Sequence, residues 1–181
     1  INTAKAMFAA NTGASDFTTV TDTTGFFILK KWDEPSGNLD STAINDWPAT
    51  HPVYIIDRGY SETGVHQGFR KIQFQQVDAV KYTIRFAALN GSGDTTLEIA
   101  KDSLYNFQFL SFTTGNTLLI EPPKNTWDLC FTQYTHIFYN PLTTYLVTGC
   151  QLNHFQTSAV MDSTVDFAAI DYAAVSGYTF S

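Results

Sequence analysis

The chain has 181 residues, which is enough for one domain with a sizeable hydrophobic core. Its net charge is −7, and its basic residues cluster no further than pairs such as Lys30-Lys31 and Arg70-Lys71. Binding to nucleic acid needs a positively charged surface against the phosphates, so this composition excludes that class of function. No apolar run approaches the roughly 18 residues that a membrane-spanning helix requires.

The first part of the chain contains two apolar runs separated by turn-forming residues. Residues 3–10 are rich in alanine and are predicted to form a short helix. Phe26–Leu29 is predicted as a buried strand, and residues 30–50 contain enough Pro, Gly, Asn and Asp to predict a long loop. Residues 53–56 are apolar throughout, which is typical of a central strand, and residues 59–68 are predicted as a turn or hairpin.

Two segments then alternate between apolar and polar residues. In the first, Ile72 and Phe74 are predicted to face the core, while Lys71, Gln73 and Gln75 are predicted to face water. Residues 81–86 repeat this alternation, and residues 90–94 predict a tight turn before another strand at 97–99.

The second half of the chain has the same character. Residues 105–109, 127–131 and 145–147 are predicted as strands, with a break at 122–125. Residues 164–174 have apolar side chains at helical spacing with Gly177 beyond them, which predicts one short helix. We therefore expect an all-β chain, with an antiparallel two-sheet or curled-sheet fold and one or two short helices.

The two cysteines lie in apolar segments that are predicted as strands. Cys130 and Cys150 are each expected to be buried as small apolar side chains, and a disulfide between neighbouring strands is the alternative. Two cysteines alone do not make a structural zinc site, and no histidine lies at the spacing that would complete one.

Three segments together resemble one known family. Residues 53–57 and 68–74 combine an apolar strand, a turn and a strand with the pattern Lys-apolar-Gln-apolar. Residues 84–92 resemble the strand and turn that follow in that family. Residues 109–112 and 127–134 resemble its Tyr/Phe-Ser-Phe segment and its Trp-Asp-apolar-x-apolar-x-x-Tyr segment. The family is the HmuY-like haem-binding lipoproteins of the Bacteroidota cell envelope.

The resemblance implies a function and a location. It implies a single HmuY-like β domain over residues 1–181, with two related halves at about 1–100 and 101–181 as an alternative. It implies a binding protein that takes part in haem or iron-porphyrin acquisition and catalyses no reaction. An outer-membrane location or secretion, a lipid anchor upstream of Ile1 and an outer-membrane transporter as partner are expected on the same ground.

Four side chains are candidate ligands of a haem iron. They lie in predicted loops or strand ends next to aromatic residues, which would flank a porphyrin: His136, His154, Met161 and His51. No metal other than the haem iron is expected.

The alternative function is that of a surface carbohydrate-binding module or an adhesin-type lipoprotein. It depends on exposed aromatic rings that stack on the apolar faces of sugars. The candidates for this role are Trp32, Trp47 and Tyr139.

Overall fold

The computed structural model describes residues 1–33, 41–45, 50–153 and 155–180, and of Tyr139 and Leu142 it describes the backbone only. Within these residues the chain is mostly antiparallel β structure with two one-turn α-helices, which confirms the predicted fold class. In chain order the elements are β1 (Phe8–Asn11), α1 (Phe26–Leu29), β2 (Lys30–Lys31), β3 (Val53–Asp57), β4 (Phe69–Val77), β5 (Lys81–Ala87), β6 (Thr95–Ala100), β7 (Phe109–Ser111), β8 (Asn116–Leu118), β9 (Leu129–Tyr139), β10 (Leu142–Leu152) and α2 (Tyr172–Val175).

Six strands form one antiparallel sheet in the order β2-β1-β3-β4-β5-β6. β3 lies inside this sheet with Val53 to Ile56 buried, as its apolar run predicts. An isolated bridge joins Tyr60 to His66 in the connection to β4, which confirms the predicted turn or hairpin. The other described strands form two separate pairs, β7 with β8 and β9 with β10.

One face of the sheet holds the larger core. Apolar side chains from β3, β4, β5 and β6 meet there, and Met7, Leu110 and Phe112 pack against them from outside the sheet. The buried members are Ala9, Ala43, Tyr54, Ile56, Ile72, Ile84, Phe86 and Ile99. Burial of this many large apolar groups is the main contribution to the stability of the sheet.

The opposite face of the sheet is also covered, because residues 14–26 lie across it. Phe17, Val20 and Phe26 pack there against Val53 and Ile55. The segment is held by two polar side chains of β4. The Lys71 ammonium donates to the carbonyl oxygens of Phe17 and Val20 at 3.0 and 2.8 Å, and the Gln73 amide donates to the carbonyls of Ser15 and His51, both at 2.8 Å.

The prediction that Lys71 and Gln73 face water was therefore wrong. Both side chains are on the predicted face of β4, but that face is covered, and both residues are buried. Burial lowers the pKa of Lys71, because it disfavours the charged ammonium. The alternation correctly predicted the strand, but it contained no information on what would cover the polar side.

A tight contact at Gly59 fixes the position of the chain's first turn. Residues Thr3–Lys5 form a 3₁₀ turn, and the Tyr60 amide donates to the Lys5 carbonyl at 2.9 Å. Gly59 has a φ of 65°, and a Cβ built there would lie 1.8 Å from the Lys5 carbonyl oxygen. Only glycine permits this approach. The turn also contacts β9, so this contact links the six-stranded sheet to the β9–β10 hairpin.

Asn153 is the centre of a buried polar network just after β10. Its side-chain amide donates to the carbonyl oxygens of Lys124 and Trp127, both at 2.6 Å. Its side-chain oxygen accepts from the Asn106 side chain and the Phe155 amide, both at 2.9 Å. These four bonds hold the irregular segment before β9 against the chain that leaves β10. Asn153 therefore stabilises this region through hydrogen bonds instead of apolar contacts.

Several predicted elements differ from the structure. Phe26–Leu29 is a helical turn rather than a buried strand, and only Phe26 in it is buried. The helix predicted at residues 164–174 is interrupted. A 3₁₀ turn, Phe167–Ala169, is capped by Asp166, and α2 is capped by Asp171, because each aspartate side chain accepts from a backbone amide that follows it. No described helix has the length and apolarity to cross a membrane.

Two predicted elements were placed only approximately. Residues 3–10, predicted as a helix, form a single 3₁₀ turn followed by β1. The strand predicted at residues 105–109 begins only at Phe109, because Asn106 and Phe107 instead bond the Glu121 carboxylate with a side-chain amide and a backbone amide.

We expect Lys71→Met to lower the free energy of unfolding by about 2–4 kcal/mol, because it leaves two buried carbonyl oxygens without their donor. Urea unfolding measures this. The matched control is Lys81→Met, which removes an ammonium that pairs with the exposed Glu98 carboxylate and should have a small effect. Equal destabilisation by the two substitutions would contradict the role given to Lys71.

We expect Asn153→Asp to destabilise the protein by about 2–4 kcal/mol, because a carboxylate oxygen would replace the donor that faces two carbonyl oxygens. Asn125→Asp adds the same charge at an exposed position and should change the free energy by less than about 0.5 kcal/mol. Thermal or urea unfolding compares them, and a tolerated Asn153→Asp would show that the network is not needed.

Candidate functional site

The site that the structure builds lies on the β9–β10 hairpin. The two strands pair over 11 residues each with a continuous register, from Leu129–Leu152 at one end to Tyr139–Leu142 at the turn. Because neighbouring side chains in a strand point to opposite faces, the register assigns every residue to one of two faces. We call one the Tyr134 face: Cys130, Thr132, Tyr134, His136 and Phe138 with Thr143, Tyr145, Val147, Gly149 and Gln151. The other is the Phe131 face: Leu129, Phe131, Gln133, Thr135 and Ile137 with Thr144, Leu146, Thr148, Cys150 and Leu152.

The prediction that both cysteines are buried was wrong. Cys130 and Cys150 are exposed and free, because the two-stranded hairpin has no second layer over either thiol in the described part of the chain. Cys150 lies opposite Phe131, and Cys130 lies opposite Gln151. This register places the two thiols on different faces of the hairpin, so a disulfide between them would need the strands to shift by one residue.

A cleft of about 360 Å³ lies between the hairpin and the start of the chain. Trp32, Asp33 and Thr3 form one wall, and the hairpin forms the other. The hairpin residues that line it are Thr132, Tyr134, Thr135, Val147, Gly149, Cys150 and Gln151. Hydroxyl and amide groups therefore alternate with apolar surface, which is the lining expected of a small-molecule site.

The acidic and aromatic groups of the opposite wall are already engaged. Trp32 is only 5% exposed, and its ring centroid lies 4.9 Å from that of Phe8. The carboxylate of Asp33 accepts from the Ala43 amide at 2.7 Å and contacts the Ile1 ammonium at 2.5 Å. The Trp32 ring, which was expected to be exposed, is therefore buried, and this wall acts as a fixed support.

His136 lies on the Tyr134 face, one cross-strand pair beyond the cleft. Tyr134 pairs with Val147 at the cleft, and His136 pairs with Tyr145 next to them. The His136 ring meets Phe138 edge to face, with centroids 4.6 Å apart, and Phe138 lies 6.4 Å from Tyr145. A half-buried imidazole is thus surrounded by aromatic rings that are themselves more than half exposed.

His51 has an arrangement that is common among metal-binding histidines. Its Nδ1 lies 2.8 Å from the carbonyl oxygen of Phe74, and since a carbonyl only accepts, Nδ1 is the donor. Nε2 then carries the ring's lone pair. His51 has a φ of 48° and an exposed side chain, and its own carbonyl is bonded by Gln73. No contact in the described structure joins it to the hairpin.

The other candidate ligands do not join this site. Met161 is 91% exposed, beside Asp162, which accepts from the Tyr178 hydroxyl at 2.7 Å. That bond lowers the pKa of Asp162 and raises the pKa of Tyr178. His154 and Trp47 lie outside the described residues, as does the side chain of Tyr139. Among the described residues, no group of three or more His, Cys, Asp or Glu side chains is arranged to hold a metal ion.

The remaining histidine, His66, is bound within the turn between β3 and β4. Its Nε2 lies 2.8 Å from the Asp57 carboxylate, which also accepts from the Gly59 amide at 2.9 Å. Its ring packs between Tyr60 and Phe69, at centroid distances of 5.3 Å to each. His66 therefore stabilises the turn, which makes it a useful control for the other histidines.

Sequence reasoning missed most residues of the cleft, including Thr132, Tyr134 and Val147. A signal for them was present. Two segments of 11 residues flank Asn140-Pro141, a turn-forming pair. Reading that turn as a hairpin would have paired the strands and placed His136 opposite Tyr145.

Comparison with known protein families, curated proteins and solved structures finds no match to this chain. The residues of the hairpin and its cleft are therefore the features that indicate a function.

We expect both cysteine thiols to react with a thiol reagent in the folded protein at rates within about tenfold of those in urea, because both are exposed. The released chromophore measures each rate, with Cys130→Ser and Cys150→Ser as single-thiol controls. Protection of either thiol by a factor of 1000 or more, roughly 4 kcal/mol of opening free energy, would contradict the exposed hairpin faces.

Proposed function

We propose that the chain is a binding protein that holds haem or a related iron porphyrin on the Tyr134 face, with His136 as an iron ligand. The observation that carries this proposal is the position of His136 among Phe138 and Tyr145, next to the cleft. Imidazole is a common axial ligand of haem iron, and aromatic rings pack against a porphyrin plane. The resemblance to the HmuY-like family agrees with this ligand.

The Tyr134 face has the chemistry that a porphyrin plane needs. Residues 129–152 contain no Lys, Arg, Asp or Glu, so an apolar ring can lie on the hairpin without burying a charged side chain. Adjacent pairs along one strand face are about 7 Å apart. A ligand centred on His136 would therefore also reach the Tyr134–Val147 pair at the edge of the cleft.

Cations flank the opposite wall of the cleft. Lys5 is the last residue of the Thr3–Lys5 turn and Lys31 directly precedes Trp32, and both lysines are exposed. The propionate groups of haem are anionic and need such partners, because the chain as a whole has a net charge of −7. We propose that the two lysines attract the propionates while His136 holds the iron.

We propose His51 as a second axial ligand. Ligation by His51 requires a loop movement that brings it to the hairpin. Its Nδ1–H bond to Phe74 leaves Nε2 for a metal, which is the reason to test it. It is placed second because no described contact joins it to His136.

The alternative, a carbohydrate-binding function, is less well supported at one of its three candidate residues. Trp32 is 5% exposed and packs against Phe8, so little of its ring is available to a sugar. The Tyr145 ring is exposed and suits such stacking, and it belongs to the same face as His136. One experiment therefore tests both functions on one surface.

The cellular setting is proposed from the family resemblance. We propose an outer-membrane surface or secreted location, an upstream lipid anchor, and transfer of the ligand to an outer-membrane transporter. The proposal contains no catalytic step, and loaded protein should show no turnover.

We expect titration of the purified chain with haem to give a saturable shift of the Soret band, in the ferric or the ferrous state. His136→Ala should weaken binding by more than about tenfold, since loss of even an outer-shell partner of a metal ligand costs that much. His66→Ala is the matched control and should bind haem as the unmodified chain does, because its ring is bound in the β3–β4 turn. His51→Ala tests the second ligand through the spin-state bands.

Two results would overturn this proposal. One is the lack of a saturable Soret shift in either redox state. The other is a shift that His136→Ala and His66→Ala leave equally strong, which would place the haem elsewhere. Binding to a glycan array that is lost in Tyr145→Ala, without a Soret shift, would assign the face to carbohydrate instead.

A further inference from the structure

The edges of the six-stranded sheet carry charges that discourage further strand pairing. The outer strand β2 is only two residues long, Lys30–Lys31. At the other edge, β6 contains Glu98, whose carboxylate is exposed and pairs with Lys81. Short edge strands and charged side chains are the usual means by which proteins protect open backbone groups.

The outer edge of β10 has neither kind of protection. β10 spans 11 residues, Leu142–Leu152, and in the described part of the chain it pairs with β9 alone. The other side of the hairpin, along β9, contacts the N-terminal turn Thr3–Lys5. β10 contains no charged residue, and its Tyr145 and Leu146 are 60% and 53% exposed.

The exposed area of the chain indicates that a large surface is left uncovered. The accessible surface is 11834 Å², whereas a compact monomer of 20.1 kDa is expected to expose about 8700 Å². The excess, about 3100 Å², is larger than the roughly 800 Å² that each partner contributes to a standard protein interface. On β10 itself, residues 143–146 and 148–151 are exposed.

We propose that β10 pairs antiparallel with β10 of a second copy of this chain, which joins two hairpins into one four-stranded sheet. A two-fold axis requires the same strand from each copy, and β10 can supply it, because its uncharged residues place no like charges opposite one another. The net charge of −7 on each chain would oppose association through most other surfaces.

The sequence of β10 favours one register, centred on Val147. Each Tyr145 then lies opposite the partner's Gly149. Gly149 is a glycine in the middle of a long strand, with no atom within 4 Å of a Cβ built there, so it leaves space for an aromatic ring across the strands. Pairing of this kind uses the backbone edge of the hairpin, but it shares the Tyr145 side chain with the proposed haem site, so haem binding is measured separately on the His136 variants.

The first test is sedimentation equilibrium over about 1 µM to 1 mM chain. The expected result is a dimer of twice the 20.1 kDa chain mass. Tyr145→Lys/Leu146→Lys changes two exposed side chains, so each chain should fold, and the dissociation constant should rise at least about tenfold. The matched control is Thr95→Lys/Thr96→Lys, two exposed residues on the edge strand β6, which should dimerise as before. Circular dichroism checks the fold of each variant.

A cross-link tests the register. With Cys130 and Cys150 replaced by serine, Val147→Cys should form an intermolecular disulfide on mild oxidation, because a residue on the axis faces its own copy. Thr96→Cys in the same background should not. A monomer at all concentrations, or a dimer that Tyr145→Lys/Leu146→Lys leaves intact, would overturn the proposal, and a dimer without the Val147→Cys cross-link would overturn the register.

Discussion

The structure depends on two polar side chains of β4 that hold a segment of irregular backbone against the sheet. Lys71 and Gln73 donate to the carbonyl oxygens of Phe17, Val20, Ser15 and His51, which have no strand partner of their own. Without these donors, residues 14–26 would leave buried carbonyls unsatisfied, and the second core under Phe17 and Phe26 could not close. The sheet is covered on both faces because of this arrangement.

Strands could be predicted where the pattern of apolar and polar residues follows from the two faces of the strand itself. The unbroken apolar run at β3 and the alternation in β4 and β5 follow from the two faces of a strand, and those strands are present. The solvent-facing position expected of Lys71 was wrong because it depends on a segment more than 50 residues earlier in the chain. Likewise, Phe26–Leu29 has the composition of a strand, but the αL conformation of Gly25 starts a helical turn there.

The candidate site could be predicted only in part, for a related reason. His136 was identified because aromatic residues surround it in the sequence, and the structure places Phe138 and Tyr145 beside it. The partner strand and its register decide which side chains share a face, and composition does not contain that register. The one-residue shift that would bring the two cysteines into a facing pair would put His136 opposite Thr144 instead of Tyr145. The prediction of buried cysteines was wrong because it assumed a second layer over the thiols, and in the described part of the chain no layer covers either one.

The absence of charge along residues 129–152 links the two surfaces proposed for the hairpin. An uncharged strand pair exposes apolar side chains and open backbone groups to water, and this favours non-specific association unless both are used. A flat apolar ligand would cover the aromatic rings of the Tyr134 face, but it has no backbone donors for the edge of β10. A second strand would satisfy that edge, but it lies in the plane of the sheet and leaves the face open. The aromatic face and the backbone edge point in perpendicular directions. A ligand on the face would not cover the edge, and a strand at the edge would not cover the face. The ligand proposed for the face and the strand proposed for the edge would therefore cover different parts of the hairpin.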